Sequence, residues 1–352
     1  MGSPLMLSRT YFQIYQSTFD EAYILKFIDL FCGIGGFRLG IEDAMPGSSE
    51  CVFSSDFNKS VCESYSLNFN DFPFSDITQL NEKEIPDHDL LCAGFPCQPF
   101  SIGGLRKGFE DVRGTLFYDL VRIIKEKKPK VFILENVRGL TSHDGGKTFK
   151  TIIDCLASRV NGKNYSATGK SLNYNVFYKI LNSKNFGVPQ NRERIFIIGF
   201  LNPKVEFEFP NNLPVTNSII DILEKKPLLK DISDLSKSHI SKHLKSRKDY
   251  KQIKDLDHLI AFEIRKSRTS FRFDGISPCL TTKMGTGGNN VPYLVNYERF
   301  FTIRELLRIQ GFPDSFRITD SYNNALMQIG NSVSVPVIKN LMKSIVECHK
   351  SF

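Results

Sequence analysis

Between residues 26 and 200 the chain repeats one pattern: a short apolar run that stops at a glycine, an acid or a polar turn. Lys26-Phe27-Ile28-Asp29-Leu30-Phe31, Glu50-Cys51-Val52-Phe53-Ser54-Ser55, Asp89-Leu90-Leu91-Cys92-Ala93 and Lys130-Val131-Phe132-Ile133-Leu134 are such runs. Helix-like segments lie between them, and residues 174–181 and 193–200 read as two further strands. Runs this short and apolar suit strands covered on both faces. The alternation predicts an α/β, doubly wound, Rossmann-like domain, where ligands bind beyond the carboxyl ends of the strands. Function is therefore sought in the residues that follow each run.

The first run enters Cys32-Gly33-Ile34-Gly35-Gly36 and then a helical segment from residue 37 to 44. Strand, glycine turn and helix open a nucleotide-binding βαβ unit, because glycine lets a ligand come close to the backbone. Position 38 is Arg, so GxGxxG is absent and a nicotinamide cofactor loses ground. The second run ends at Asp56, about twenty positions past the turn, where a carboxylate can accept from two ribose hydroxyls. Asp56 or Asn58 would serve equally as the N-cap of a helix over 58–69. Asp76 closes the next short extended segment and could accept from an adenine amino group, or be an ordinary turn residue.

The third run leads into Gly94-Phe95-Pro96-Cys97-Gln98-Pro99-Phe100-Ser101. Prolines on both sides of Cys97 stiffen the loop and aim the thiol, which suits a nucleophile; an inert cysteine near a turn is the plainer alternative. Residues 102–113 are glycine-rich and basic, either a solvated connection or a loop that closes over an anionic substrate. Residues 114–128 form an amphipathic helix whose Leu116, Leu120, Ile123 and Ile124 face a core. The fourth run ends in Glu135-Asn136-Val137, and a carboxylate leaving a buried strand must be paired or protonated. Glu135 and Cys97 thus share one crevice. Arg192 and Arg194, two apart on a strand, can point together at it, or be a pair of exposed edge charges.

From about residue 201 to 300 the alternation is lost. Residues 237–272 hold eleven Lys/Arg against four Asp/Glu, a surplus of seven in a chain whose formal charge is +8. A charge run is usually a solvated face, but one this large beside a catalytic cleft suits phosphate tracking. The small-polar stretches around Thr281-Thr282 and Gly287-Gly288 suit loops held against base edges, or plain turns. Thr302-Ile303-Arg304-Glu305 is a capping box for a helix stopping at Gly311, and residues 335–348 form a last helix. The cysteines at 32, 51, 62, 92, 97, 155, 279 and 348 show no metal-ligand spacing, so no metal is expected. Neither a membrane-length apolar run nor a cleavable signal pattern is present, so a cytoplasmic protein is expected.

Residues 29–36, 94–101, Glu135-Asn136-Val137, 190–194 and Gln328-Ile329-Gly330-Asn331-Ser332-Val333 together resemble the ordered motifs of DNA (cytosine-5) methyltransferases of the bacterial restriction-modification type. The resemblance covers roughly residues 26–200 and 300–348. It implies an S-adenosylmethionine-dependent catalytic domain (24–200), a smaller, variable target-recognition domain (201–300) and a returning segment (301–352), after an extension (1–23) that carries no motif. Its implied substrate is a flipped-out cytosine in double-stranded DNA, its product S-adenosylhomocysteine, and its partner a cognate restriction endonuclease; a monomer is expected. By the same resemblance Cys97 is the nucleophile, Glu135 the acid at cytosine N3, and Arg192 and Arg194 their companions, with Arg194 on the base. Phe31, Gly33, Ile34, Gly36, Asp56, Phe57, Asp76, Ile77, Pro96, Leu116, Asn331, Ser332 and Val333 match cofactor-pocket positions. Asp56 stands where Glu is common, one methylene shorter. Ser101, Arg106, Lys107, Arg268, Arg272, Thr281, Thr282, Gly287 and Gly288 are the expected DNA contacts. A tRNA-methylating relative and a catalytically inactive DNA-binding relative are the alternatives.

Overall fold

The computed structural model describes residues 24–96, 116–214, 217–227, 233–286, 290–319 and 321–348. Its first half runs β1 (Leu25–Leu30), α1 (Gly36–Ala44), β2 (Ser49–Ser55), α2 (Lys59–Phe69), β3 (Leu90–Gly94), α3 (Leu116–Lys127), β4 (Val131–Val137), α4 (Lys147–Leu156), β5 (Ala157–Val160), β6 (Lys163–Asn164), β7 (Tyr174–Asn182) and β8 (Glu193–Phe200). These strands form one sheet in the order β2-β1-β3-β4-β8-β7-β5-β6. β1, β2, β3 and β4 pair in parallel, whereas β8 runs antiparallel to both neighbours. The link from β7 to β8 is too short for a parallel crossover, so the chain turns straight back.

The period-two alternation of each strand divides its side chains between two cores. Leu91, Ala93, Phe132 and Leu134 face α3 and α4, where Phe117, Leu120, Ile124 and Ile152 cover them. Leu90, Cys92, Val131 and Ile133 face the other way, under Phe37 and Ile41 of α1 and Val337, Ile338 and Leu341 of the last helix, α9 (Val335–Cys348). Both faces are covered, which makes this a doubly wound α/β sheet. α9 lies tight on α1: a Cβ on Gly40 would come within 2.5 Å of Ile338. The C-terminal helix therefore completes the domain that the N-terminal half begins.

A third core joins the other elements. It unites the four-stranded antiparallel sheet β10-β9-β11-β12 (β9 Ile260–Phe262, β10 Ser270–Arg272, β11 Tyr293–Leu294, β12 Arg299–Phe300) with α5 (Asp234–Lys245), α7 (Ile303–Gln310) and α8 (Tyr322–Asn331). The helix α6 (Tyr250–Ile253) packs nearby through Ile253. Ile34 and Val61 reach into this core from the large-sheet side. α7 opens with the expected capping box, Thr302 and Glu305 each bonding the other's backbone, and closes at Gly311 with φ 86°. The same Glu305 carboxylate is wholly buried and takes both guanidinium nitrogens of Arg299 at 2.7 and 2.8 Å, so the cap also ties α7 to β12. Among the described residues no helix is long and apolar enough to cross a membrane.

Candidate active site

The site gathers at the carboxyl ends of β1, β2, β3 and β4, where the sequence alternation points. β1 ends in Phe31, held in the left-handed region at φ 53°, followed by Gly33 at φ 55° and Gly35 at φ 87°. A non-glycine residue there is strained, which is typical of backbone shaped for a ligand. Gly33 donates its N–H to Asp56 Oδ2 at 3.0 Å, so the acid at the end of β2 grips the glycine turn directly. Asp56 Oδ1 accepts from Asn58 N at 2.9 Å, while Asn58 itself caps α2 through Ser60 and Val61. Of the two candidate caps, Asn58 is the one used. Burial raises the Asp56 carboxyl above its ordinary range, opposed by the two N–H groups.

Asp56 also pairs through its backbone with residues 73–75, which brings the next acid alongside. Asp76 caps a short 3-10 turn (Ile77–Gln79) by accepting from Thr78 N and Oγ1 on its Oδ1. Ile77 is buried; Phe57 is 70% exposed beside Asp56, and Pro96 is exposed. Ile34 turns its side chain into the third core, so only its backbone faces the turn. Leu116 is half-buried at the start of α3.

The C-terminal segment meets this turn from the other side. A Cβ on Gly36 would lie 2.8 Å from both Ser332 Oγ and Val333 Cγ2, so glycine is what lets residues 332–333 come this close. Asn331 is exposed and Ser332 buried. Two buried side chains fix the approach. Arg192 donates to Leu280 O (2.7 Å), Ser332 O (2.7 Å) and Gly330 O (3.3 Å). Gln310 donates to Ile329 O and Ser332 O, and accepts from Gln190, whose Oε1 takes the Leu280 N–H. This knot stitches the segment leading into β8, the 280 segment, α7 and the end of α8 together.

β4 supplies the acid. Glu135 lies in register with Gly94 of β3, and Val137 with Arg194 of β8. Arg194 is thus diagonal to Glu135 on the same face, and its Nε comes 3.1 Å from Glu135 Oε1. The contact is an ion pair off hydrogen-bond alignment, since Oε1 has no aligned donor among the described residues. Glu135 is 8% exposed; burial pushes its carboxyl up, while Arg194 and then Arg192 pull it down. A Cβ on Gly94 would stand between Glu135 Oε2, Phe37 and Val333, at 3.7 to 3.9 Å. Glycine leaves open a space that an alanine methyl would fill.

The expected pairing of Arg192 with Arg194 at the crevice is half realised. Both are on the Glu135 face, but only Arg194 reaches the carboxylate. Arg192 is buried, its charge made costly by desolvation so that its pKa falls to about 10, and it binds the three carbonyls instead. Its hydrogen bonds shape the site, and only its charge acts on the acid. Cys97, Ser101, Arg106, Lys107, Gly287 and Gly288 lie outside the described residues. The stems that flank 97–115 meet: Phe95 packs on Phe117 of α3 (5.6 Å between rings), and Asn136 Nδ2 holds Phe95 O at 2.9 Å.

On the basic side, Lys237, Lys242, Lys245, Lys248, Lys251, Arg265 and Lys266 are exposed. Arg268 is exposed and paired with Glu263, whereas Arg272 folds back on Asp274 and Ile276 O. The backbone of Thr281 and Thr282 lies against Gly330, where a Cβ would come within 2.3 Å of Thr281. Sequence reasoning gave no role to Gln310, Asn136 or Cys279. Gln310 had a signal: it is a polar residue on the apolar face that Leu306 and Leu307 define.

The family model for C-5 cytosine-specific DNA methylases matches residues 25–347. The type II methyltransferase M.HaeII of Haemophilus aegyptius is 41% identical over 326 residues, covering 91% of this chain and 92% of that protein. M.HhaI of Haemophilus parahaemolyticus is 40% identical over 335 residues, covering 91% and 94%. The solved structure of the Dnmt2 methyltransferase of S. pombe superposes with a TM-score of 0.65 over 93% of this chain and 99% of that one, at 21% identity, a likeness of fold. Among the described residues no cluster of three or more His, Cys, Asp or Glu could hold a metal ion. The extent of the family match and the identity to these methyltransferases show that the chain belongs to the C-5 cytosine-specific DNA methylases.

Proposed function

We propose that the chain methylates C5 of one cytosine within a specific duplex DNA sequence, using S-adenosylmethionine and a covalent bond from Cys97 to ring carbon C6. The observation that carries this reading is Glu135: a buried acid with a raised carboxyl, set beside an open glycine on the strand that leads to Cys97. The residues around the glycine turn fit the cofactor. Space opens off Gly33, where no atom lies within 4 Å of a Cβ, and Asp56 and Asp76 follow with acceptor lone pairs. Phe31, Phe57, Ile77, Pro96, Leu116 and Val333 would supply apolar contact, and Asn331 and Ser332 polar contact at the far end. When bound, S-adenosylmethionine supplies an electrophilic methyl group carried on a sulfonium.

Cytosine C5 is a weak nucleophile. Addition of the Cys97 thiolate to C6 forms a C–S bond and turns C4–C5 into an enamine, so C5 can accept the methyl group. Glu135 relieves the charge that builds on the ring by giving a proton to N3, a role that burial favours by raising its carboxyl above the ordinary range. Arg194 holds that carboxyl and the base. As C5 takes the methyl group, N3 returns its proton to Glu135; loss of the C5 proton to a base then expels Cys97 as the thiolate and restores the aromatic ring. A stacked base cannot be reached this way, so the cytosine turns out of the helix. The exposed lysines of residues 237–272 would carry the phosphates, with Arg268, Thr281, Thr282, Gly287 and Gly288 nearer the bases and Ser101, Arg106 and Lys107 on the catalytic loop. Arg272, already bound to Asp274, fits better as a brace for that surface.

The family match to type II methyltransferases supports a protective role beside a cognate restriction endonuclease, in the cytoplasm of a bacterial cell. Bisulfite sequencing of DNA from cells that express the chain tests the reading. Methylation at one sequence context, lost in Cys97→Ala, is expected. Unmodified DNA together with labelled-methyl transfer to tRNA alone would overturn it.

A further inference from the structure

Beside Arg192 and Arg194 lies a thiol that the methyl-transfer chemistry does not use. Cys279, half-buried, comes from the segment between β10 and α7, outside the large sheet. Its Sγ accepts from Arg192 Nη1 at 3.7 Å and from Arg194 Nη1 at 3.8 Å. Its own S–H is directed to Leu280 O, 3.5 Å away, the carbonyl that also anchors Arg192 at 2.7 Å. Apart from Cys279, the described partners of Arg194 are Glu193 O at 2.8 Å and the Glu135 carboxylate at 3.1 Å. With Nη1 held by Glu193 O and Cys279, the guanidinium is left with Nε on the acid. A guanidinium on a flexible stem keeps one orientation only if several of its donors are bound.

We propose that Cys279 is a positioning residue for the methyl-transfer reaction: through this sulfur the lobe outside the large sheet fixes Arg194 on Glu135. The role rests on Glu135 acting as the acid at cytosine N3. Among the described residues, the charged groups that face Glu135 are Arg194 and Arg192, both on the β8 side, and Cys279 touches both of them. Movement of the 280 segment on DNA would therefore reach the acid through one side chain. Sulfur suits the place because it is a large, soft acceptor that spans two guanidinium groups.

Single-turnover methyl transfer to duplex DNA, measured from pH 6 to 10 on the full-length chain, tests this against Glu135→Gln as a reference. Cys279→Ala should slow transfer about tenfold, the scale of removing one hydrogen bond to a charged group. S-adenosylhomocysteine affinity should stay within about twofold, since the hydrogen bonds of Cys279 among the described residues go to Arg192, Arg194 and Leu280, none of them a cofactor residue. The alkaline limb of the rate should move to higher pH, because a loosened Arg194 no longer lowers the Glu135 carboxyl. Cys279→Ser, which keeps an acceptor, should recover most of the rate. Wild-type rate and an unmoved limb in Cys279→Ala, with Glu135→Gln inactive, overturn this inference and leave the role of Glu135 standing. Equal losses in Ala and Ser, with a lowered melting temperature and an unmoved limb, also overturn it by making the residue a packing element. Full activity in Glu135→Gln removes both.

Discussion

Asp29→Asn removes a carboxyl group that the fold has buried without an aligned partner. Asp29 is 0% exposed, and neither oxygen accepts a well-aligned hydrogen bond among the described residues. Burial raises its pKa from 3.8 to about 8, against a pull from the charge and backbone of Arg38 and with a small push from Asp56. Because the folded value lies above the unfolded one, the native state holds a proton that the unfolded chain has released. Stability contributed by this group is complete below pH 3.8 and is lost as pH climbs to about 8. Each pH unit in that window costs about 1.4 kcal/mol, so the step from pH 5 to pH 8 costs up to about 4 kcal/mol. A chain of 352 residues unfolds with an entropy of about 0.7 kcal/mol/K, which turns that loss into roughly 5 °C. Asn has the same shape and does not titrate, so any fixed cost of the amide cancels in the pH difference. Scanning calorimetry of both proteins at several pH values between 5 and 9 reads the effect. The melting temperature of the variant minus that of the wild type should rise by several degrees from pH 5 to pH 8 and then level off. A difference that stays flat, or falls with pH, would mean that the carboxylate is charged and compensated in the native state, and the reasoning fails.

Gly36→Ala should push residues 332–333 off the turn and weaken S-adenosylhomocysteine binding by roughly 1–3 kcal/mol in titration calorimetry, because its Cβ meets Ser332 and Val333 at 2.8 Å. Unchanged affinity would separate the C-terminal segment from the cofactor pocket. Arg192→Met should leave the carbonyls of Leu280, Gly330 and Ser332 without their donor and cost about 3–5 kcal/mol in urea unfolding; a cost under about 1 kcal/mol would contradict the stitching role of this side chain. Changing Lys237, Lys242, Lys245 and Lys248 to Gln should flatten the salt dependence of DNA binding, by up to about 0.9 in slope for each phosphate that is no longer neutralised, and an unaltered slope moves the DNA surface elsewhere.

The catalytic half was legible because its strands are buried on both faces, so Leu90–Leu91 and Phe132–Ile133 leave unbroken apolar runs, and the residue after each run falls at a known edge. The antiparallel direction of β8 was not visible in those runs, which look alike in either direction. Glu135 was readable as a costly acid at a strand end. The division of labour between Arg192 and Arg194 was not, because spacing gives a face and not a reach; the carbonyls that capture Arg192 come from residues 280, 330 and 332. Cys279 escaped for the same reason, since its partners lie more than eighty positions away. Asp29 was written in the first strand as one acid among apolar neighbours, yet only the fold shows how completely it is buried. In the middle segment the strands are two or three residues long, too short for any period to show.

The proposed chemistry stands or falls on a bond between Cys97 and the cytosine it helps to methylate. Duplex DNA carrying 5-fluorocytosine in place of cytosine, incubated with the chain and S-adenosylmethionine, would trap that bond, because fluorine cannot leave C5 as a proton does. A denaturant-resistant protein–DNA adduct is expected, with its cross-linked peptide mapping by mass spectrometry to Cys97. Methylation without an adduct, or an adduct on another cysteine such as Cys279, would contradict it.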